Sequence, residues 1–178
     1  MNKFILSFAC VITLYLPSFA NSDISKTLNQ HAPDWTLSEK IDNISVYTRP
    51  YKGSDFDAFK AVAILDQPIK NIFSVISDPT SCPLWVDNCI ESYNYIDYAP
   101  EISQFNNRFG YALSHLPWPF KNRDLIVHIL TTNNPETNEI SIAMFSDKQL
   151  VSSVEKVVHI TETETLYLLR AINNNQTE

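Results

Sequence analysis

Hydrophobic residues recur at two different periods along this chain, and the period tells which element each segment builds. Ile69, Ile72, Phe73 and Ile76 fall at i, i+3, i+4 and i+7, one face of a helix. Pro68 stands near its first position and Asp78-Pro79 ends it, so the spacing predicts a helix over 68–78. Elsewhere the apolar residues come in short β-branched and aromatic runs bounded by Asn, Asp, Gly and Pro, which read as strands. Three are predicted before the helix, over 35–37, 44–49 and 56–65, with Asp42-Asn43 and residues 50–54 as turns. In the third, Phe59, Ala61, Ala63 and Leu65 share one face. Six more follow it, over 90–98, 102–116, 125–131, 140–145, 156–161 and 166–172. Asn133-Asn134-Pro135 and Ser146-Asp147 mark two of the turns between them. A short amphipathic helix is expected over 22–30, stopped by Pro33.

The order is therefore helix, three strands, helix, then a run of strands. Consecutive strands with short turns make an antiparallel sheet, and segregated helices make the class α+β. Two helices so short are too few to cover a sheet of this size. The 178 residues suffice for one domain, and no repeat or low-complexity linker divides them.

Residues 1–20 stand apart from that domain. Lys3 gives a positive start, residues 4–16 are almost wholly apolar, and Pro17-Ser18-Phe19-Ala20 supplies small residues for cleavage. This is the pattern of a secretory signal peptide, with residues 21–178 as the mature domain. The apolar run falls short of the roughly 20 residues that span a bilayer. Cys10 lies inside the run and not after it, which argues against a lipoprotein anchor. The expected location is the periplasm or the exterior. Cys82 and Cys89 are the cysteines beyond the leader, and in such a compartment they are expected to form a disulfide. A regular helix would hold their Cα atoms about 10.5 Å apart, beyond the limit of about 7 Å. Pro83 interrupts such a helix and lets the loop close.

Composition mainly excludes. A net charge of −7 argues against nucleic acid and against strong binding to anionic lipid. Gly53 and Gly110 are the only glycines, so no glycine-rich phosphate loop can form. His31, His115, His128 and His159 are isolated and lack zinc-ligand spacing. There is no G-x-S-x-G, and neither mature cysteine has a basic sequence neighbour to activate it. Glu162 and Glu164 share a strand face and read as a solvated edge. No enzyme, metal or cofactor is implied.

The most distinctive stretch is Pro117-Trp118-Pro119-Phe120-Lys121-Asn122-Arg123-Asp124. Its prolines exclude helix and interior strand. It reads as a stiff aromatic corner, expected to be packed, that delivers an adjacent cation and anion into the strand from Leu125. Its companions are Trp35-x-Leu37, Ile44-x-Val46-Tyr47-Thr48-Arg49, the helix over 68–78, and Trp85 followed by Cys89-x-Glu91-Ser92. In this order and spacing, the set resembles the START domains, lipid-transfer modules of the helix-grip fold, and in particular their exported bacterial members. The similarity runs over residues 34–172.

That resemblance implies a curved antiparallel sheet with short helices, gripping a long C-terminal helix, with a tunnel for one lipid between them. It implies non-catalytic binding or transfer of a lipid or other hydrophobic small molecule, with transient membrane contact. Helix-grip cavities also host cyclases and hydrolases, which is the alternative in another class. Residues 170–178 stop where the family turns into a last strand, and the lid helix that follows it elsewhere is absent from this sequence. A non-functional truncated copy is therefore a further reading. For the site, the resemblance gives Arg123 and Asp124 a structural role first, pinning the corner, with orientation of a ligand head group as the second role. His128 is another polar candidate, and Trp118, Phe120, Tyr111 and Phe109 are candidate tunnel walls. Strand parity alone leaves open which face each of them occupies.

Overall fold

The computed structural model describes residues 34–95, 106–146 and 154–178. The helix expected over 22–30 and the leader lie outside them. The chain begins with a three-stranded antiparallel meander of β1 (Thr36–Ile41), β2 (Ile44–Arg49) and β3 (Ala58–Ala63). Asp42 makes the first turn in a left-handed conformation, φ 52°, which Asp tolerates better than most residues. Phe59 and Ala61 do share a face of β3, but it is the exposed one. On the other face Lys60 is half-buried, its Nζ 5.0 Å from the Trp35 ring centre and 4.8 Å from that of Tyr47.

Helix α1 (Ile69–Ser77) follows, entered from Pro68. Its half-buried face is Ile69, Ile72, Phe73 and Ile76, the stripe that the 3.6-residue period marks. Asp78 ends it in an extended conformation, and its Oδ1 accepts from both the backbone N–H and the hydroxyl of Thr80 at 2.8 Å. Those bonds hold the Asp78 carboxyl below its ordinary pKa. One turn of helix, α2 (Cys82–Trp85), comes next. Cys82 and Cys89 are disulfide-bonded, with Cα atoms 6.0 Å apart, so the loop between them closes over Pro83.

Seven strands complete the fold. They are β4 (Cys89–Asn94), β5 (Asn107–Ser114), β6 (Arg123–Asn134), β7 (Glu139–Ser146), β8 (Val158–Ile160), β9 (Glu164–Asn173) and β10 (Gln176–Thr177). The sheet order is β10-β9-β7-β6-β5-β4. β10 bridges Leu65 after β3 through Thr177, with backbone bonds of 2.8 and 3.0 Å, and so joins the two sheets edge to edge. The architecture is a curled antiparallel half-barrel with few, short helices, of class α+β.

Three expectations need correction. The segment over 156–161 is not a further antiparallel strand: β8 pairs with β6 in parallel, placing His159 beside Asp124. Beyond residue 172 there is a last short strand, β10, because Asn173 and Asn175 turn the chain back on itself. The aromatic corner is not packed. Trp118 is 92% exposed and Phe120 62%. The Phe120 N–H closes a tight turn onto the Pro117 carbonyl, at 3.0 Å, so the loop is satisfied internally and its rings stand off the sheet. What pins the corner is Asn122. Its side-chain oxygen accepts from the Leu116 N–H at 3.3 Å, and its carbonyl accepts from the Val158 N–H at 2.9 Å.

Asp124 is 1% exposed, which does give it a structural place, and Tyr111 and His159 reach it from other strands. The Tyr111 hydroxyl donates to its Oδ2 at 3.4 Å, and His159 Nδ1 meets its Oδ1 at 2.5 Å. Three strands, β5, β6 and β8, are thereby tied at one carboxylate.

These observations separate two mutations. Trp118→Ala is expected to change unfolding free energy by no more than about 0.5 kcal/mol, as for an exposed site. Asp124→Ala, which strands the buried Tyr111 hydroxyl and the half-buried His159 ring, should cost roughly 2–4 kcal/mol. Chemical denaturation of both variants measures the contrast. Reduction of the Cys82–Cys89 bond should remove about 2–3 kcal/mol, the value for a short closed loop, read as a lower melting temperature in dithiothreitol.

Candidate functional site

Alternation along β5 and β6 sorts their side chains onto two faces. In register, Arg108 lies opposite Ile129, Gly110 opposite Val127 and Ala112 opposite Leu125. These residues line a cavity of about 180 Å³ between the sheet, α1 and α2. Val127, Ile129 and Ile142 are buried there, with Phe73 and Ile76 of α1 and Met144 and Tyr167 packed against them. Phe109 lies opposite His128, Tyr111 opposite Ile126 and Leu113 opposite Asp124, on the other face. A second core of Phe109, Tyr111 and Ile126, with Tyr95 and Leu113, occupies that side.

This division sorts the residues that the sequence put forward. Tyr111 touches the cavity, yet its hydroxyl is turned to Asp124 and its ring stacks on Tyr93 at 4.8 Å. Phe109, Asp124 and His128 do not line the cavity. Phe109 stacks on the His128 ring at 4.6 Å, Phe145 meets that ring edge-on at 4.9 Å, and Asn107 bonds its Nε2. Arg123 is half-buried at the end of β6 and does not reach the cavity either. Trp118 and Phe120 stand in solvent and wall nothing. Phe109, Asp124 and His128 belong to the opposite strand parity, and Trp118 and Phe120 to a loop beyond the sheet's end, whereas Arg123 shares the cavity's parity but is the first residue of β6, beyond the chamber.

The residues that do shape the cavity were not among the site candidates read from the sequence. Trp85 lines it and meets Tyr167 edge-on at 6.3 Å, while its indole N–H donates to Ser81 Oγ at 3.0 Å. Ser81 in turn donates to the Val75 carbonyl at 2.6 Å, so α2 is fastened to the end of α1. Arg108 is 6% exposed, and its Nη2 donates to the Ser77 carbonyl at 3.2 Å, fastening that same end to β5. Burial pulls the Arg108 pKa down from its ordinary value. Gly110 was the one available signal, since glycine inside a strand marks a close approach. A Cβ there would come within 2.9 Å of Ile129 Cδ1.

Chemically, the arrangement is a predominantly apolar chamber. Among the described residues no group of three His, Cys, Asp or Glu side chains could hold a metal ion. His115, His128 and His159 each bond a different partner, Asn122, Asn107 and Asp124.

Comparison with known proteins agrees with this architecture. A STAR-related lipid transfer protein from Xanthomonas axonopodis superposes with a TM-score of 0.69 at 18% identity, covering 80% of this chain and 77% of that one. Human STARD10 superposes with a TM-score of 0.68 at 19% identity, over 86% of this chain and 60% of that one. For human StAR-related lipid transfer protein 5 the TM-score is 0.66, at 11% identity over 86% and 74%. The chain thus has the START fold, the helix-grip architecture of the StAR-related lipid-transfer domains. In sequence, it is 24% identical over 103 residues to the uncharacterized protein PA1579 of Pseudomonas aeruginosa. That match covers 58% of this chain and 48% of the relative, so it spans about half the relative's length. No family model matches the sequence.

Burial, and then the Asp124 carboxylate, hold the Tyr111 phenol above its ordinary pKa, and burial does the same to Tyr167. A folded-state value above the unfolded one gives stability that is complete below the unfolded pKa, about 10, and lost as pH rises past it. Stability should therefore fall above about pH 10, by up to about 1.4 kcal/mol per pH unit for each such tyrosine. Denaturation curves between pH 9 and 11 should show a shallower decline for Tyr111→Phe than for the wild type.

Proposed function

We propose that this protein holds one lipid or other hydrophobic small molecule in the chamber between α1, α2 and the sheet, and releases it without covalent change. The observation that carries this reading is the cavity itself, walled by Ile76, Trp85, Leu125, Val127, Met144 and Tyr167 in a fold shared with lipid-transfer proteins. Burial of ligand surface supplies the affinity, at about 25 cal/mol per Å² of apolar area. A cavity of about 150 Å³ is large enough for benzene. This one, about 180 Å³, holds a ring or a short length of acyl chain, so a longer ligand extends past the described walls.

Export of the mature domain completes the proposal, supported by the leader pattern of residues 1–20 and by a disulfide that suits an oxidising compartment. Brief contact with a membrane is the means of loading. The His115 backbone N–H bonds the Asn88 carbonyl at 2.7 Å, tying the segment that leads to Trp118 and Phe120 to the turn that follows α2. Leu84 of α2 is 86% exposed, and with Trp118 and Phe120 it offers three apolar side chains to a membrane surface. The acidic net charge favours neutral over anionic lipid surfaces.

Mass spectrometry of the protein purified from its native compartment should detect a stoichiometric apolar molecule. Gly110→Leu, which pushes aside Ile129 and fills the chamber, should weaken uptake of a fluorescent fatty-acyl probe by roughly tenfold or more. Equal uptake by a cooperatively folded Gly110→Leu protein would place the ligand elsewhere.

A further inference from the structure

Two atoms in the chamber wall are out of keeping with its apolar character. Ser92 and Asn94 alternate along β4 and both line the cavity. Ser92 Oγ and Asn94 Oδ1 are sealed from solvent and have no hydrogen-bond partner among the described residues. Their cross-strand neighbours on β5 offer none: Ser92 pairs with Ala112 and Asn94 with Gly110, a methyl group and a hydrogen. Buried polar atoms without partners are rare in folded proteins, and each calls for an explanation.

Resting on the lipid-binding reading above, we infer that Ser92 and Asn94 form a head-group subsite for an uncharged, hydroxyl-bearing apolar molecule. The donor and acceptor roles decide the class. Asn94 Oδ1 is an acceptor and needs an O–H or N–H from the ligand, whereas Ser92 Oγ can donate or accept. An ionised carboxylate or a phosphodiester has no proton to give and is met at Asn94 only by turning the amide over. An alcohol satisfies Asn94 by donation, and its own or an adjacent oxygen accepts from Ser92. Side chains two apart on a strand stand about 7 Å apart at their roots. A simple long-chain alcohol therefore engages one atom or bridges both through its single oxygen, while a glycerol monoester reaches each with a separate oxygen. Arg108 lies diagonally across from Asn94 on the same face, held by the Ser77 carbonyl, and closes that end of the subsite as part of the wall.

Three matched probes test the inference by displacement of a fluorescent acyl reporter: oleyl alcohol, monooleoylglycerol and, at pH 8, oleate. Wild type should bind the alcohol or the monoester roughly tenfold more tightly than oleate, the worth of one hydrogen bond against an unmet acceptor. A monoester preference over the alcohol identifies separate contacts, and equal affinity identifies a single shared hydroxyl. Asn94→Leu and Ser92→Ala should each reduce the preference for neutral head groups. They should also raise the ligand-free melting temperature, because an unmet buried polar atom has been removed. Weaker alcohol binding in a more heat-stable protein is a signature that a purely structural role would not give. Oleate bound as tightly as the alcohol, or a preference unmoved by both substitutions, overturns the subsite and leaves the lipid-binding reading intact. Failure of wild type to bind any of the three, or the reporter, overturns both.

Discussion

Everything in this molecule depends on one strand being buried on both faces. β6 carries a nearly unbroken apolar run, Leu125 to Leu130, and such a run has no solvated side. Leu125, Val127 and Ile129 must be covered on one face, and Ile126 on the other. Helix α1 covers the first with Phe73 and Ile76, while aromatic residues of β5 share the second. The chamber lies between α1, α2 and the part of the inner face where β5 carries Gly110 and Ala112.

The two faces of β5 and β6 do different work. The outer one holds the polar ties of the fold: Asp124 with Tyr111 and His159, and His128 with Asn107. Each tie is made within the protein, so these groups confer rigidity on the fold. The inner face is apolar except near β4, where Ser92 and Asn94 present oxygen atoms that the protein leaves unmet. A binding module needs this asymmetry. Apolar walls supply affinity in proportion to area, and a few unmet polar atoms reject molecules that cannot satisfy them.

Distinctive sequence and functional location do not coincide here. The Pro117–Asp124 stretch is the most recognisable in the chain, yet its aromatic rings lie in solvent and its acid in the outer face. Its conformation is fixed locally by prolines and by Asn122, which is why it reads so clearly in sequence. Ser92, Asn94 and Arg108 look ordinary in sequence, because nothing about a serine or an asparagine in a strand foretells that its neighbours across the sheet are an alanine and a glycine.

Local physics was legible without coordinates. The spacing of Ile69, Ile72, Phe73 and Ile76 determined α1 and its buried face, β-branched runs located β2, β6 and β7, and Pro83 left room for the Cys82–Cys89 loop to close. The α+β class followed from the order of those elements. Tertiary structure alone decided the rest. Alternation divides a strand into two faces but does not say which is inside, so Phe109 and Arg108 could be told apart only once α1 had docked on one of them. His159 reaches Asp124 across 35 residues through a parallel pairing that no turn signal announces. Burial belongs to the space around a side chain and not to the side chain itself, and so Trp118, the largest apolar residue of the corner, lies open to water.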